Sequence, residues 1–118
     1  MDLPTQQHGN VTIVRLPLGH LHAGNVPEFR DAITPLLDAY QDVVIDMSQL
    51  TLVDSSGLGA LIACLRHISE RNGELRLFGL SGSVLAVFEL MRMHRVFTIC
   101  ETEQAAIDSM LASREGQH

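Results

Sequence analysis

Asp54-Ser55-Ser56-Gly57-Leu58-Gly59 is the segment of this chain whose residue types could do chemistry. A carboxylate is followed by two hydroxyls and then by two closely spaced glycines. The run joins Gln49–Val53 to a helical stripe of Leu58, Leu61, Ile62, Leu65 and Ile68, so it reads as a strand-to-helix turn. A serine at or next to the N-cap sets a hydroxyl beside the unpaired amides of the first helical turn. Those amides and the helix dipole favour a negative group. Gly57 and Gly59 clear side chains from that end, at a cost of up to about 1 kcal/mol each relative to Ala in a helix interior. Close packing on a sheet or access for a partner would offset that cost. A plain capping turn is the alternative reading of the same residues.

Other chemistries fit poorly. A phosphate loop of the Walker type needs a Lys before its Ser or Thr, and all eight basic residues here are Arg. A nucleophile elbow needs Gly two residues before its Ser; Val53 and Asp54 stand there instead. A dinucleotide fingerprint needs three spaced glycines after the strand, and this segment has two. Asp46 and Asp54 do not make an acid–base pair, so the residues do not point to an enzyme. His20 and His22 would face the same way on a strand, but no third ligand is placed nearby, so no metal is expected. No cofactor is expected either. Cys64 and Cys100 read as small core or edge residues.

The elements that must hold the turn alternate in type. Val11–Leu16 reads as a strand stopped by Pro17 and Gly19, with a second short strand near Gly19 to His22. Asn25, a capping residue, opens a helix bearing Phe29, Ile33, Leu36, Leu37 and Tyr40, which Pro35 should kink or end early. Val43–Asp46 reads as a buried central strand, and the helix after the turn should end near Asn72-Gly73. Leu75–Phe78 reads as a strand, followed by a helix capped by Ser83. Val96–Cys100 reads as a further strand, followed by a helix capped by Thr102. Leu90, Met91, Met93, Val96 and Phe97 surround Arg92, His94 and Arg95; they read as helix-to-strand core, with a Met-lined partner groove as the alternative. The pattern predicts a single α/β domain with a mixed, mostly parallel sheet of about four strands and helices packed mainly on one face. Its core would span residues 10–112, leaving 1–9 and 113–118 as flexible ends.

A chain of 118 residues is enough for one such domain and too short for two ordinary ones. Lys plus Arg total 8 against 14 for Asp plus Glu, and the net charge of −6 argues against broad binding to nucleic acid or anionic lipid. No apolar run is long enough to span a bilayer, and the first residues have neither the basic nor the apolar region of a secretory signal. Two cysteines are too few for a disulfide framework. A cytoplasmic protein without direct membrane insertion is expected.

Val44-Ile45-Asp46-Met47-Ser48-Gln49-Leu50-Thr51-Leu52-Val53-Asp54-Ser55-Ser56-Gly57-Leu58-Gly59-Ala60-Leu61 closely resembles the signature of the STAS domain, and most of all that of the bacterial anti-sigma factor antagonists. Asn25–Arg30, Gly73–Leu77, Val84–Phe97 and Glu103–Ala106 resemble further parts of that family, in the right order. The resemblance implies a partner-switching regulator. Unphosphorylated, it would bind an anti-sigma factor serine kinase and so free a sigma factor. Phosphorylation at Ser55, with Ser56 as the backup site or cap, would release it, and a PP2C-type phosphatase would restore it. The partner surface would comprise Asp54, Ser55, Ser56, Gly57, Leu58 and Gly59, with Leu58 as an apolar contact and His22 to Asn25 alongside. Many antagonists carry an acid where His22 stands, which removes a fixed negative charge beside the turn. The resemblance leaves two alternatives: a STAS subunit of a transport or lipid-trafficking assembly, and a nucleotide-binding STAS protein.

Overall fold

The computed structural model describes residues 1–115. In chain order the elements are β1 (Thr5–His8), β2 (Val11–Arg15), β3 (His20–Leu21), α1 (Val26–Ala39), β4 (Asp42–Asp46), β5 (Leu52–Val53) and α2 (Ser55–Ser69). They continue with β6 (Glu74–Phe78), α3 (Gly82–Leu90), a 3-10 turn (Met93–Arg95), β7 (Thr98–Cys100) and α4 (Glu103–Glu115). The main sheet has five strands in the order β1-β2-β4-β6-β7. Only the β1–β2 pair is antiparallel; the other three pairings are parallel. β3 and β5 form a separate parallel pair, with His20 opposite Leu52 and Leu21 opposite Val53.

The period-two alternation of the strands decides which helix covers which face. Val14, Val43, Ile45, Leu75 and Leu77 join the core built with Phe29 and Ile33 of α1, Leu61 and Ile68 of α2, and Val84 and Phe88 of α3. Val11, Ile13, Val44 and Phe78 point the other way, where α4 covers them with Ala106, Ile107 and Met110. Three helices therefore cover one face and one covers the other.

The N-terminal segment departs from the sequence-based expectation. Residues 1–9 are not a loose end, because Thr5–His8 pairs along β2 and Leu3 is buried. All four residues of β1 are exposed and polar, so no apolar alternation marks the strand in the sequence. Its register comes from a two-residue hairpin loop in which Gly9 adopts φ +64, a conformation open to glycine. This strand makes the sheet five-stranded rather than four-stranded. At the other end, α4 extends to Glu115, and Arg114 reaches the buried carboxylate of Asp42. The rest of the expected flexible end, residues 116–118, lies outside the described residues.

α1 passes through Pro35 and continues to Ala39. Proline inside a helix loses a backbone bond and crowds the preceding turn, at about 3 kcal/mol. Leu37, beyond the proline, is fully buried, and Leu36 packs against the same core. Burying one such side chain is worth about 1.5–3 kcal/mol, which offsets the cost and holds the last turn in place. Asn25 occupies the N-cap position but makes no side-chain cap bond, contrary to expectation. Ser81 caps α3 by accepting from the Val84 amide at 3.3 Å, whereas Ser83, the expected cap, donates to the Thr51 carbonyl at 2.8 Å. β7 begins at Thr98 rather than Val96, because the chain first makes the 3-10 turn. Within the apolar cluster read as core, Phe97 is buried and Met93 partly so, while Leu90, Met91 and Val96 lie exposed. No helix among the described residues is long and apolar enough to cross a membrane.

Pro35→Ala restores the missing helical amide at an exposed position. It should raise the unfolding free energy by about 1–3 kcal/mol in urea titration. A neutral or destabilising result would mean that the proline is matched to its neighbours.

Candidate functional site

The Asp54–Gly59 turn stands at the start of α2, immediately after the short strand β5. Asp54, rather than either serine, is the N-cap. Its backbone is extended, and its Oδ1 accepts the Gly57 amide at 2.8 Å. Its Oδ2 accepts the Ala23 amide at 3.2 Å, and its own amide donates to the Leu21 carbonyl at 3.2 Å. One carboxylate thus joins the first turn of α2 to the loop that leads into α1. The Gly57 amide, foremost, holds the Asp54 carboxyl below the usual carboxylate range against the opposing effect of burial; the Ala23 and Ser56 amides and the nearby His22 add to the lowering.

With the cap supplied by Asp54, Ser55 and Ser56 take the first two helical positions. Both are exposed, and neither hydroxyl makes a hydrogen bond among the described residues. They are neighbouring nucleophiles at the positive end of a 15-residue helix.

The two glycines do different work. A Cβ on Gly57 would run into the Leu21 carbonyl oxygen and approach Val53 Cγ2 at 2.8 Å, so this glycine lets α2 start tight against β3. A Cβ on Gly59 would meet nothing within 4 Å, so that position leaves surface open. Leu58, expected as an outward apolar contact, is instead 4% exposed and packs in the core with Leu61 and Val53. The exposed aliphatic beside the turn is Leu52, 54% exposed, which the sequence reading did not single out. The signal was present in the alternation of β5: Val53 points inward, so Leu52 points outward.

The loop at residues 22–25 lies alongside, as expected, and is tightly bonded. Asn25 Oδ1 accepts the His22 amide at 3.0 Å, and Asn25 Nδ2 donates to the His20 carbonyl at 2.8 Å. This is why Asn25 does not cap α1. His22 Nδ1 accepts the Gly24 amide at 3.0 Å, which puts the proton of the neutral ring on Nε2. A Cβ at Gly24 would press into that ring, so the glycine allows His22 to fold over its own loop. The His20 and His22 rings lie 6.5 Å apart, edge to face. No cluster of three or more metal-ligating side chains occurs among the described residues. Burial pushes the Cys64 thiol up to about 12 and also raises that of Cys100.

The chain matches the STAS domain family over residues 2–106. An anti-sigma-B factor antagonist of Listeria monocytogenes is 30% identical over 90 residues, which cover 72% of this chain and 75% of that protein. An anti-sigma-factor antagonist (STAS) domain protein of Planctomyces limnophilus superposes with a TM-score of 0.85 at 21% identity, covering 94% and 99% of the two chains. The Bacillus cell fate determinant SpoIIAA in its phosphorylated form superposes with a TM-score of 0.66 at 23% identity, covering 91% and 97%.

Gly57→Ala should destabilise by about 1–3 kcal/mol, because backbone must shift to admit the methyl group. Gly59→Ala should stabilise by about 0.5–1 kcal/mol, as an exposed helical glycine gains a better helix former. Urea unfolding of the two variants checks the contrast; equal effects would contradict it. Because Asp54 titrates lower in the folded chain than in the unfolded one, its contribution is full above about pH 4 and fades as pH falls through the lowered value. Asp54→Ala should therefore lower the melting temperature at pH 7 by a few degrees, and the gap from wild type should narrow as pH falls below about 4. A gap that does not change with pH would show that the charge is irrelevant.

Proposed function

The chain belongs to the STAS domain family, and on that premise we propose that it is an anti-sigma factor antagonist that switches partners through Ser55. It is a regulatory binding protein rather than a catalyst. In the cytoplasm, the unphosphorylated form docks on an anti-sigma factor serine kinase through the surface around Asp54–Gly59 and the adjoining 22–25 loop. The kinase transfers the γ-phosphoryl group of ATP to the Ser55 hydroxyl, leaving ADP, and the phosphorylated chain is released. Hydrolysis of the phosphoester by a PP2C-type phosphatase regenerates the binding form. Ser56 is the alternative acceptor.

The observation that supports this reading above all is the pair of exposed serine hydroxyls without internal hydrogen bonds at the start of α2. A kinase can reach such a hydroxyl without unfolding the domain. A phosphate there adds about −1.5 to −2 charge near neutral pH. The helix terminus favours that charge, so the fold tolerates it. The interface does not, because the phosphate stands beside the ionised Asp54 on a chain already at −6 and must be desolvated when a partner covers it. The phosphorylated SpoIIAA structure, with the same fold, supports a switch that leaves the architecture intact. Gly59 and Leu52 complete the docking face as open backbone and an apolar contact; Gly57 and Leu58 act from beneath it by placing the helix.

Affinity capture from the native cell with Ser55→Ala and Ser55→Asp, followed by phosphosite mapping on the wild-type chain, tests the reading. Ser55→Ala should retain a serine kinase, and Ser55→Asp should lose it, with affinity falling at least about a hundredfold, or about 2.7 kcal/mol. Two-dimensional NMR spectra of the variants should stay folded. Equal retention by both variants, or phosphate on neither serine, would defeat the proposal.

A further inference from the structure

The surface from Leu90 to Glu101 contains a feature that the Ser55 switch does not use. Leu90, Met91 and Val96 are 81%, 51% and 49% exposed. Arg92 and Arg95 lie between them, both exposed, and neither makes an ion pair among the described residues. The segment is held in shape. Arg92 adopts φ +59, its amide donates to the Glu89 carbonyl at 3.1 Å, and the Val96 amide donates to the Met93 carbonyl at 3.0 Å. The result is a fixed apolar knuckle carrying two positive charges.

Beside it in the chain is a pocket of about 430 Å³. Leu80, Leu85 and Ile99 give it an apolar lining, His94 of the knuckle itself borders it, and Glu89 and Glu101 add two carboxylates, both on exposed residues and neither paired with a cation among the described residues. The pocket runs along β7, which pairs only with β6 and ends the sheet.

We propose that this face binds a second copy of the chain, in a two-fold dimer where the Leu90–Val96 knuckle of each copy seats in the pocket of the other. Charge selects this occupant. A basic partner would answer Glu89 and Glu101 but meet Arg92 and Arg95 as like charges; an acidic surface would do the reverse, against a net charge of −6. A second copy turned by two-fold symmetry answers both sets at once, because an isologous contact sets each patch against its complement twice. It also removes three exposed apolar side chains per copy from water. The proposal does not rest on the Ser55 reading, and its failure would leave that reading untouched.

Sedimentation velocity on the full chain tests it, with far-UV circular dichroism to check folding. The wild type should shift from monomer to dimer as concentration rises toward about 1 mM, a range that reveals even weak pairs. Glu89→Arg with Glu101→Arg, and separately Arg92→Glu with Arg95→Glu, should each give monomers. An equimolar mixture of those two variants should regain the dimer, since their faces again carry opposite charge. Leu90→Asp, at the most exposed of these positions, should abolish the dimer and carries the test alone if a charge-reversed variant fails to fold. A wild type that stays monomeric throughout, a dimer that survives Leu90→Asp or either charge reversal, or a mixture of folded variants that does not reassociate would each overturn the proposal.

Discussion

The Asp54 carboxylate is the constraint on which the rest of the site depends. One oxygen closes the first turn of α2 through the Gly57 amide, and the other holds the Ala23 amide of the neighbouring loop. A serine in the capping position would have spent its oxygen on the helix. With an aspartate there, both following hydroxyls stand clear of the backbone. The cap, the exposed serines and the approach of the 22–25 loop are therefore one arrangement. Gly57 completes it, because any side chain at that residue would push α2 away from Leu21 and break the span between the two oxygens.

The sheet supplies the rigid support for this arrangement. β3 and β5 are too short to stand alone; their outer ends are held by the Thr51 amide donating to the Gly19 carbonyl at 2.7 Å and by Ser83 bonding back to Thr51. Fully buried Leu21 and largely buried Val53 and Leu58 anchor the turn from below. The two exposed hydroxyls of Ser55 and Ser56 thus sit on a foundation with little freedom.

Much of this was legible in the sequence, and the exceptions have physical causes. The strand-to-helix turn, the parallel α/β order and the Asn72-Gly73 stop follow from periodicity and from residues with distinctive backbone preferences. At the stop, Asn72 takes φ +62 and the Gly73 amide donates to the Ile68 carbonyl at 2.8 Å. β1 escaped because an edge strand with every side chain in water has no apolar alternation. Leu58 opens the apolar stripe that α2 turns toward the core, so its inward direction was readable from that stripe, and the outward direction of Leu52 from the alternation of β5; the residue types of the turn drew the reading to Leu58 instead. Asn25 forsook its cap because the donors and acceptors that claim it come from His20 and His22, a contact of the folded loop. Leu90, Met91 and Val96 read as core because apolar character was all the sequence offered there; Leu90 ends α3 on its solvent side, and the left-handed Arg92 with the 3-10 turn after it leaves Met91 and Val96 in water.

Glu103, at the start of α4, bonds Arg15 at the carboxyl end of β2, and Arg114, near its end, reaches Asp42 at the amino end of β4. The helix therefore delivers the polypeptide to the pole opposite the serines, about one strand length away, or roughly 17 Å. The two ends of α4 thus tie the carboxyl end of β2 and the amino end of β4 together across the outer face of the sheet, and its last turn stands away from the Asp54–Gly59 turn.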